Sequence, residues 1–176
     1  FPLHDALPIS SLGSLSALAF SAESAVTETT APAAAGQTGP AAAVRLGFIG
    51  VGARGTYLLE TILACPQADV RAVCDVRPER AKAAADLVKS RRGKAPETYT
   101  KDAHDYRRLL ERTDIDAVLI ATGGDLHAGM AVDAMLAGKD VGSEVPAAET
   151  IDECWKLVRT KEQTGRHYML LENYFY

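Results

Sequence analysis

Residues 44–55, VRLGFIGVGARG, contain the clearest structural motif of this chain. The first six are mostly apolar, alternating and then continuous, which is typical of a buried β-strand. Gly50, Gly52 and Gly55 follow at G-x-G-x-x-G spacing, and residues 56–65 then carry Leu and Ile at helical spacing. Strand, glycine turn and helix in this order predict a dinucleotide-binding βαβ unit.

The three glycines have separate physical roles in such a turn. Gly50 permits the tight turn, Gly52 lets the backbone approach a diphosphate, and Gly55 lets the helix pack closely on the strand. The unpaired N–H groups and the positive dipole end of the helix then face the phosphates. The spacing therefore predicts a phosphate-binding turn.

A carboxylate supports this interpretation. Residues 70–75, VRAVCD, are typical of a second strand, and Asp75 stands twenty residues beyond Gly55, where an acidic side chain accepts hydrogen bonds from an adenosine ribose. The alternative is that Asp75 caps the next helix, which Pro78 begins. We favour the ribose role and expect NAD rather than NADP, although Arg77 is placed to accommodate a 2′-phosphate.

Length, composition and charge limit the classes of protein that fit. The chain has 176 residues, 47% hydrophobic, and a formal net charge of -4. That suits one soluble domain with extra sequence at one end, and it favours neither nucleic acid nor a membrane as partner. Cys65, Cys74 and Cys154 lie far apart without metal-ligand spacing, so we interpret them as small core residues and predict no metal site.

Residues 1–43 do not resemble part of the domain. Residues 11–20, SLGSLSALAF, form a short apolar run followed by small residues, which is typical of a secretory signal peptide lacking its basic start. Residues 23–43 are rich in Ala, Thr, Pro and Gly and indicate a disordered linker. We expect an exported protein, periplasmic or secreted; the alternative is a leader without targeting value on a cytoplasmic protein.

From Val44 onward, patterns of strands and helices alternate. Six strands joined by helices predict an α/β fold with a doubly wound parallel sheet, the NAD(P)-binding Rossmann fold, over residues 44–176. A capping box of Thr150 and Glu153 begins the last helix, in which Trp155 is expected in the core. Further strands are predicted at 98–100, 116–121, 140–144 and 167–172, and helices at 78–92, 102–112 and 126–137.

Polar residues follow three of the predicted strands. They occur at 122–127, 144–146 and 172–176, and ligands of such sheets bind at the carboxyl ends of the strands. Asp125 is best explained as a helix N-cap. His127 is evenly balanced between a packing residue of the first helical turn and a site residue.

The glycine turn, Asp75 and the polar residues at 122–127 and 144–146 resemble motifs of the Gfo/Idh/MocA oxidoreductases. This family is named for glucose–fructose oxidoreductase and inositol dehydrogenase. The resemblance covers residues 44–176, and it implies a Rossmann domain followed by an α/β substrate domain that this chain lacks. Most members have Glu-Lys-Pro where this chain has Glu144-Val145-Pro146, and their lysine belongs to a sugar dehydrogenase site. The matching positions are 50–55, Asp75, 121–122, His127, 138–141, Glu144 and Pro146.

A subgroup of that family fits better. Residues 144–158, EVPAAETIDECWKLV, and 167–176, HYMLLENYFY, resemble the NAD-dependent α-N-acetylgalactosaminidase-type glycosidases, as does Arg54 in the fingerprint. The resemblance implies a tightly held NAD that is recycled. In the reaction that the resemblance implies, hydride would leave C3 of the sugar for NAD, the C2 proton would become acidic, and the aglycone would be eliminated. Water would then add, and the hydride would return.

The resemblance also implies roles for single residues. Glu144 and Asn173 would lie beside nicotinamide and sugar, and Tyr176 would approach the substrate, so these three are the candidate catalytic residues. A sugar or glycoside is the implied substrate, and the full-length protein is expected to be a homo-oligomer. The implied cofactor-binding residues are Gly50, Gly52, Arg54, Gly55, Asp75, Thr122, His127 and Glu144.

Three classes of function remain open. They are a redox-assisted glycoside hydrolase, an NAD-dependent sugar or cyclitol dehydrogenase, and a non-catalytic NAD-binding protein. Val145 in place of lysine favours the first over the second, through the resemblance. For residues 44–176 alone we expect weak cofactor binding and no turnover, because the substrate domain would follow.

Overall fold

A computed structural model of the protein describes residues 42–172. Several predicted features lie outside these residues, namely the signal segment, most of the linker, Asn173 and Tyr176. The described part alternates strands and helices as the sequence predicts. The elements are β1 (Val44–Ile49), α1 (Ala53–Leu63), β2 (Ala68–Cys74), α2 (Pro78–Arg92), β3 (Glu97–Tyr99), α3 (Tyr106–Leu110), β4 (Ala117–Ile120), α4 (Gly124–Leu136), β5 (Asp140–Ser143), α5 (Ile151–Thr164) and β6 (Tyr168–Leu170).

All six strands form one parallel sheet in the order β3-β2-β1-β4-β5-β6. The chain leaves β1 toward one edge of the sheet and returns to β4 on its other side. Ile49 therefore pairs with Cys74 of β2 on one side and with Ile120 of β4 on the other. This reversal opens a crevice at the carboxyl ends of β1 and β4, where ligands of doubly wound sheets bind.

Helices cover both faces of the sheet, as the two last residues of β1 illustrate. Phe48 is fully buried against the apolar sides of α1 and α2, whereas Ile49 is buried in the cluster that includes residues of α3, α4 and α5. Consecutive strand residues point to opposite faces, so a strand covered on both sides must be apolar at both positions. The predicted doubly wound fold is confirmed.

The helix predicted at 102–112 is much shorter in the structure. Only Tyr106–Leu110 is helical, and the residues before it form turns. Asp102 accepts a hydrogen bond from the backbone N–H of His104, and Asp105 accepts one from that of Lys101. Short acidic side chains that bind nearby backbone groups compete with helix formation, which explains the delayed start.

Two expectations about the core are wrong. Trp155 is 54% exposed, and Cys65 and Cys154 are also exposed, while Cys74 is buried as expected. The capping box of Thr150 and Glu153 begins α5 as predicted, but the helix turns Leu157 inward. Two stripes of α5 contain apolar residues, so their spacing alone did not decide which one faces the sheet.

Candidate cofactor-binding site

The glycine turn after β1 is closely packed, as its spacing predicts. Gly50 has φ +86°, and a Cβ atom there would lie 2.6 Å from the carbonyl oxygen of Ala121. A Cβ atom on Gly55 would lie 2.1 Å from the carbonyl oxygen of Gly50. Both contacts are with backbone, so larger side chains would move the turn or the helix.

The helix α1 begins earlier than predicted, directly after Gly52. Gly52 is its N-cap residue, and no side chain caps the helix. Ala53 and Arg54 therefore form the first helical positions, and Gly55 lies inside the helix. Uncapped N–H groups at the start of an eleven-residue helix suit the binding of an anion such as a diphosphate.

Asp75 is fixed against the glycine turn. Its Oδ2 accepts a hydrogen bond from the backbone N–H of Val51 at 2.9 Å, and its Oδ1 accepts one from that of Arg77 at 2.9 Å. Arg77, not Asp75, is the residue that precedes α2, so the capping alternative is wrong. Each carboxylate oxygen has a second lone pair, which suits a ribose hydroxyl.

A cleft of about 430 Å³ lies between the glycine turn and the ends of the central strands. One wall is apolar, which suits a purine base, and Tyr106 in it donates a hydrogen bond from its hydroxyl to Asp133 at 2.6 Å. Burial raises the pKa of Cys74 to about 12, so the thiol at this cleft stays protonated. The apolar wall includes Val76, Ala103, Tyr106, Leu126 and Met130.

The predicted cofactor residues divide into two groups. Those that line the cleft are Gly50, Gly52, Arg54, Asp75 and Thr122. Gly55, His127 and Glu144 are not among the residues that line it.

His127 is buried at 1% exposure and connects two strand ends. Its Nδ1 lies 2.8 Å from the carbonyl oxygen of Pro146, after β5, and its Nε2 lies 3.3 Å from that of Thr122, after β4. In this arrangement the imidazole supports the backbone of Thr122. Asp125 does not cap α4, because Gly123 is the N-cap residue and Asp125 lies in the first turn.

Glu144 follows β5 directly and is 5% exposed. Its Oε1 accepts a hydrogen bond from Nε of Arg54 at 2.6 Å, and its Oε2 lies 3.3 Å from the backbone N–H of Val145. The Arg54 guanidinium also stands 5.5 Å from the centre of the Tyr57 ring. The cation beside Glu144 therefore comes from α1.

Sequence reasoning did not single out Arg80. Its guanidinium lines the cleft, and its Nη1 lies 3.3 Å from where a Cβ atom of Gly52 would be. The position of Arg80 in the first turn of α2, shortly after Asp75, was the sequence signal that could have identified it. Tyr106 also lines the cleft, and it belongs to the helix that the sequence predicts at 102–112.

Residues 42–172 contain neither a candidate metal site nor a candidate membrane span. No group of three His, Cys, Asp or Glu residues there could hold a metal ion. No helix in the same range is long and apolar enough to cross a membrane.

The sheet order, the glycine turn and the cleft together define a dinucleotide-binding domain. The profile of the Gfo/Idh/MocA family, described as an oxidoreductase family with an NAD-binding Rossmann fold, matches residues 44–172. The chain belongs to this family, and its cofactor is NAD. The close-packed glycines, the uncapped helix start and the fixed Asp75 fit that cofactor.

A relative of high sequence identity also matches the chain. A glycosyl hydrolase family 109 protein of Streptomyces niveus is 51% identical over 134 residues, which are 76% of this chain and 27% of that protein. The chain thus spans about 27% of the length of this relative.

Solved structures share the fold. An NAD-binding protein from Listeria innocua has TM-score 0.64 and 28% identity, covering 74% of this chain and 36% of that one. A 3-ketoreductase from Actinomadura kijaniata, crystallised with NADP and TDP-benzene, has TM-score 0.62 and 28% identity, covering 73% and 37%.

Proposed function

We propose that this chain is the NAD-binding domain of a longer enzyme that hydrolyses a glycoside with recycled NAD. The observation that carries the proposal is its 51% identity with a glycosyl hydrolase family 109 protein across the cofactor domain. Glu144-Val145-Pro146 supports it, since the lysine of the dehydrogenase-type members is absent and Arg54 accompanies Glu144 instead.

The proposal assigns separate tasks to the cofactor and to this chain. NAD, when bound, supplies a reversible oxidant for the sugar. The glycine turn and Asp75 hold the diphosphate and the ribose. Glu144 is the candidate for moving a proton at the sugar, because it is a buried carboxylate at the carboxyl edge of the sheet. Asn173 and Tyr176 are proposed to approach the sugar.

A substrate domain is proposed to follow β6. The relative with 51% identity is much longer than this chain, which leaves room for such a domain. Ile151, Trp155 and Val158 form an exposed apolar stripe on α5, close in sequence to β6, and exposed apolar patches of this kind are typical of interfaces. We propose that this domain covers the stripe.

The reaction can be tested with the complete reading frame that encodes this chain. Elimination removes the C2 proton of the sugar, and a proton lost to an exchanging base is replaced from water. Hydrolysis in deuterated water should therefore give product with deuterium at C2, measured by NMR, and no accumulation of NADH. Direct displacement by two carboxylates would leave C2 unlabelled, and such a product would contradict the proposal.

An NAD-dependent sugar or cyclitol dehydrogenase is the second candidate. It is supported by the likeness to the Actinomadura 3-ketoreductase. A dehydrogenase would accumulate NADH in proportion to product, so the absorbance of NADH during turnover separates the two reactions. A non-catalytic NAD-binding protein, the third class, would show neither product nor NADH.

A further inference from the structure

Tyr57 is an exposed aromatic residue beside the ion pair of Arg54 and Glu144. It lies one helical turn after Arg54 on α1 and is 59% exposed. Side chains on a helix lean toward its amino end, which brings the ring back toward Arg54. The centre of the ring lies 5.5 Å from Cζ of Arg54, within the range of a cation–π contact. One side of the ring therefore faces the guanidinium, and much of the rest is open to solvent.

The ion pair orients the ring of Tyr57. Nε of Arg54 donates a hydrogen bond to Oε1 of Glu144 at 2.6 Å, and Glu144 is itself buried. Because Nε and Cζ of Arg54 are directly bonded, the centre of the Tyr57 ring lies within about 10 Å of that carboxylate oxygen. This distance is close to the length of two linked sugar rings. A ring that is already oriented loses less side-chain freedom when it binds a ligand.

Tyr57 is not part of the cofactor cleft. The residues that line the cleft include Arg54 but neither Tyr57 nor Val145. Val145 is 43% exposed, and its backbone N–H lies 3.3 Å from Oε2 of Glu144. Two exposed and largely apolar side chains thus adjoin the candidate proton-transferring carboxylate without lining the space for NAD. Apolar surface beside a few polar groups is typical of sites that bind small molecules.

We propose that Tyr57 is a stacking platform for the aglycone of the substrate, and that this aglycone is a second sugar ring. This role of Tyr57 rests on the proposed function, in which Glu144 moves a proton at the sugar. When the sugar that is cleaved lies at Glu144, the group across the glycosidic bond reaches as far as Tyr57. A pyranose presents an apolar face of C–H groups, which packs on an aromatic ring, and edge hydroxyl groups, which suit the charged groups nearby. The substrate class is then an oligosaccharide or glycan, rather than a glycoside of a small alcohol.

The complete reading frame that encodes this chain allows a direct test. The common hexoses and N-acetylhexosamines, in both anomeric forms, are each offered as the methyl glycoside and as the disaccharide linked to O4 of methyl β-glucoside. The two substrates of the sugar that is released differ only by one ring in the aglycone. For both of them, kcat and KM are measured with the wild type, Tyr57→Phe and Tyr57→Ala. Thermal unfolding of each variant checks that the fold is retained.

The decisive quantity is the ratio of kcat/KM for the disaccharide to kcat/KM for the methyl glycoside. Tyr57→Ala should lower this ratio about three- to tenfold, because it removes one aromatic contact. The loss should appear mainly as a higher KM for the disaccharide. Tyr57→Phe keeps the aromatic face, so its ratio should stay within about twofold of the wild-type value.

Trp155→Ala is the matched control, because Trp155 is also an exposed aromatic residue but lies on α5. Its removal should leave the ratio as in the wild type, whatever it does to the contact with the substrate domain. A ratio that Tyr57→Ala leaves unchanged, or that Trp155→Ala lowers equally, would overturn the platform while the proposed function stands. An enzyme that hydrolyses neither set of glycosides would overturn the proposed function, and this inference with it.

Discussion

Two glycines in helices of this domain should respond in opposite ways to the same substitution. Gly55 lies in α1 and Gly129 in α4. Alanine is favoured over glycine in a helix by about 1 kcal/mol, and this gain applies to both positions. At Gly129 a Cβ atom meets nothing within 4 Å, so Gly129→Ala should stabilise the domain by about that amount.

Gly55→Ala adds a Cβ atom where there is no room. The atom would lie 2.1 Å from the carbonyl oxygen of Gly50, and real Cβ contacts stay above 3.0 Å. The helix or the turn must therefore shift by about 0.9 Å. Overpacking against side chains costs about 1–3 kcal/mol, and this contact is with backbone that Ala121 holds from the other side. After the helical gain, we expect a net loss of about 2 kcal/mol.

Urea unfolding of the wild type and the two variants measures these differences, and titration with NAD measures the site. Gly55→Ala should also bind NAD at least about tenfold more weakly, because the displaced turn carries the phosphate-binding N–H groups. Gly129→Ala should bind normally. A Gly55→Ala protein as stable as Gly129→Ala, with unchanged NAD affinity, would show that this turn has room for a Cβ atom.

Two further predictions concern charges. Asp75 should make the chain prefer NAD over NADP, because the repulsion between a carboxylate and a 2′-phosphate is about 4 kcal/mol at 4 Å with an effective dielectric of 20. Calorimetric titration that shows tighter binding of NADP would contradict this. The hydrogen bond and charge of Arg45 lower the pKa of Asp116 to about 2, so their pair stabilises the fold above about pH 4, and this contribution is lost as the pH falls toward 2. Because both side chains are more than a third exposed, Asp116→Asn should lower the free energy of unfolding by only about 1 kcal/mol near neutral pH. In urea unfolding this difference should shrink toward zero at low pH. A difference that is independent of pH would exclude the ion pair as its cause.

The sequence predicted the elements whose signals are local. The glycine turn, the apolar strands and the capping box at Thr150 depend on residues that are neighbours in the chain, and the structure confirms them. The sequence did not predict which stripe of α5 faces the sheet, because the orientation of the helix depends on packing against α4. Trp155 was misplaced for this reason.

The site shows the same division. Gly50, Gly52 and Asp75 were assigned from spacing alone, and all three line the cleft. The ion pair between Arg54 and Glu144 joins residues ninety positions apart. No local pattern encodes such a contact, since it exists only after β5 has been placed two strands away from β1.

The cleft is held in shape by contacts that cross between strand ends. Asp75 ties the end of β2 to the glycine turn through Val51, and His127 lies between the carbonyl groups that follow β4 and β5. These groups are ordered by folding, before any ligand arrives. When a cofactor binds groups that are already ordered, less binding free energy is spent on immobilising those groups. Binding of NAD is therefore favoured by contacts within the protein as well as by those that touch the cofactor, and the proposed recycling of NAD would benefit from both.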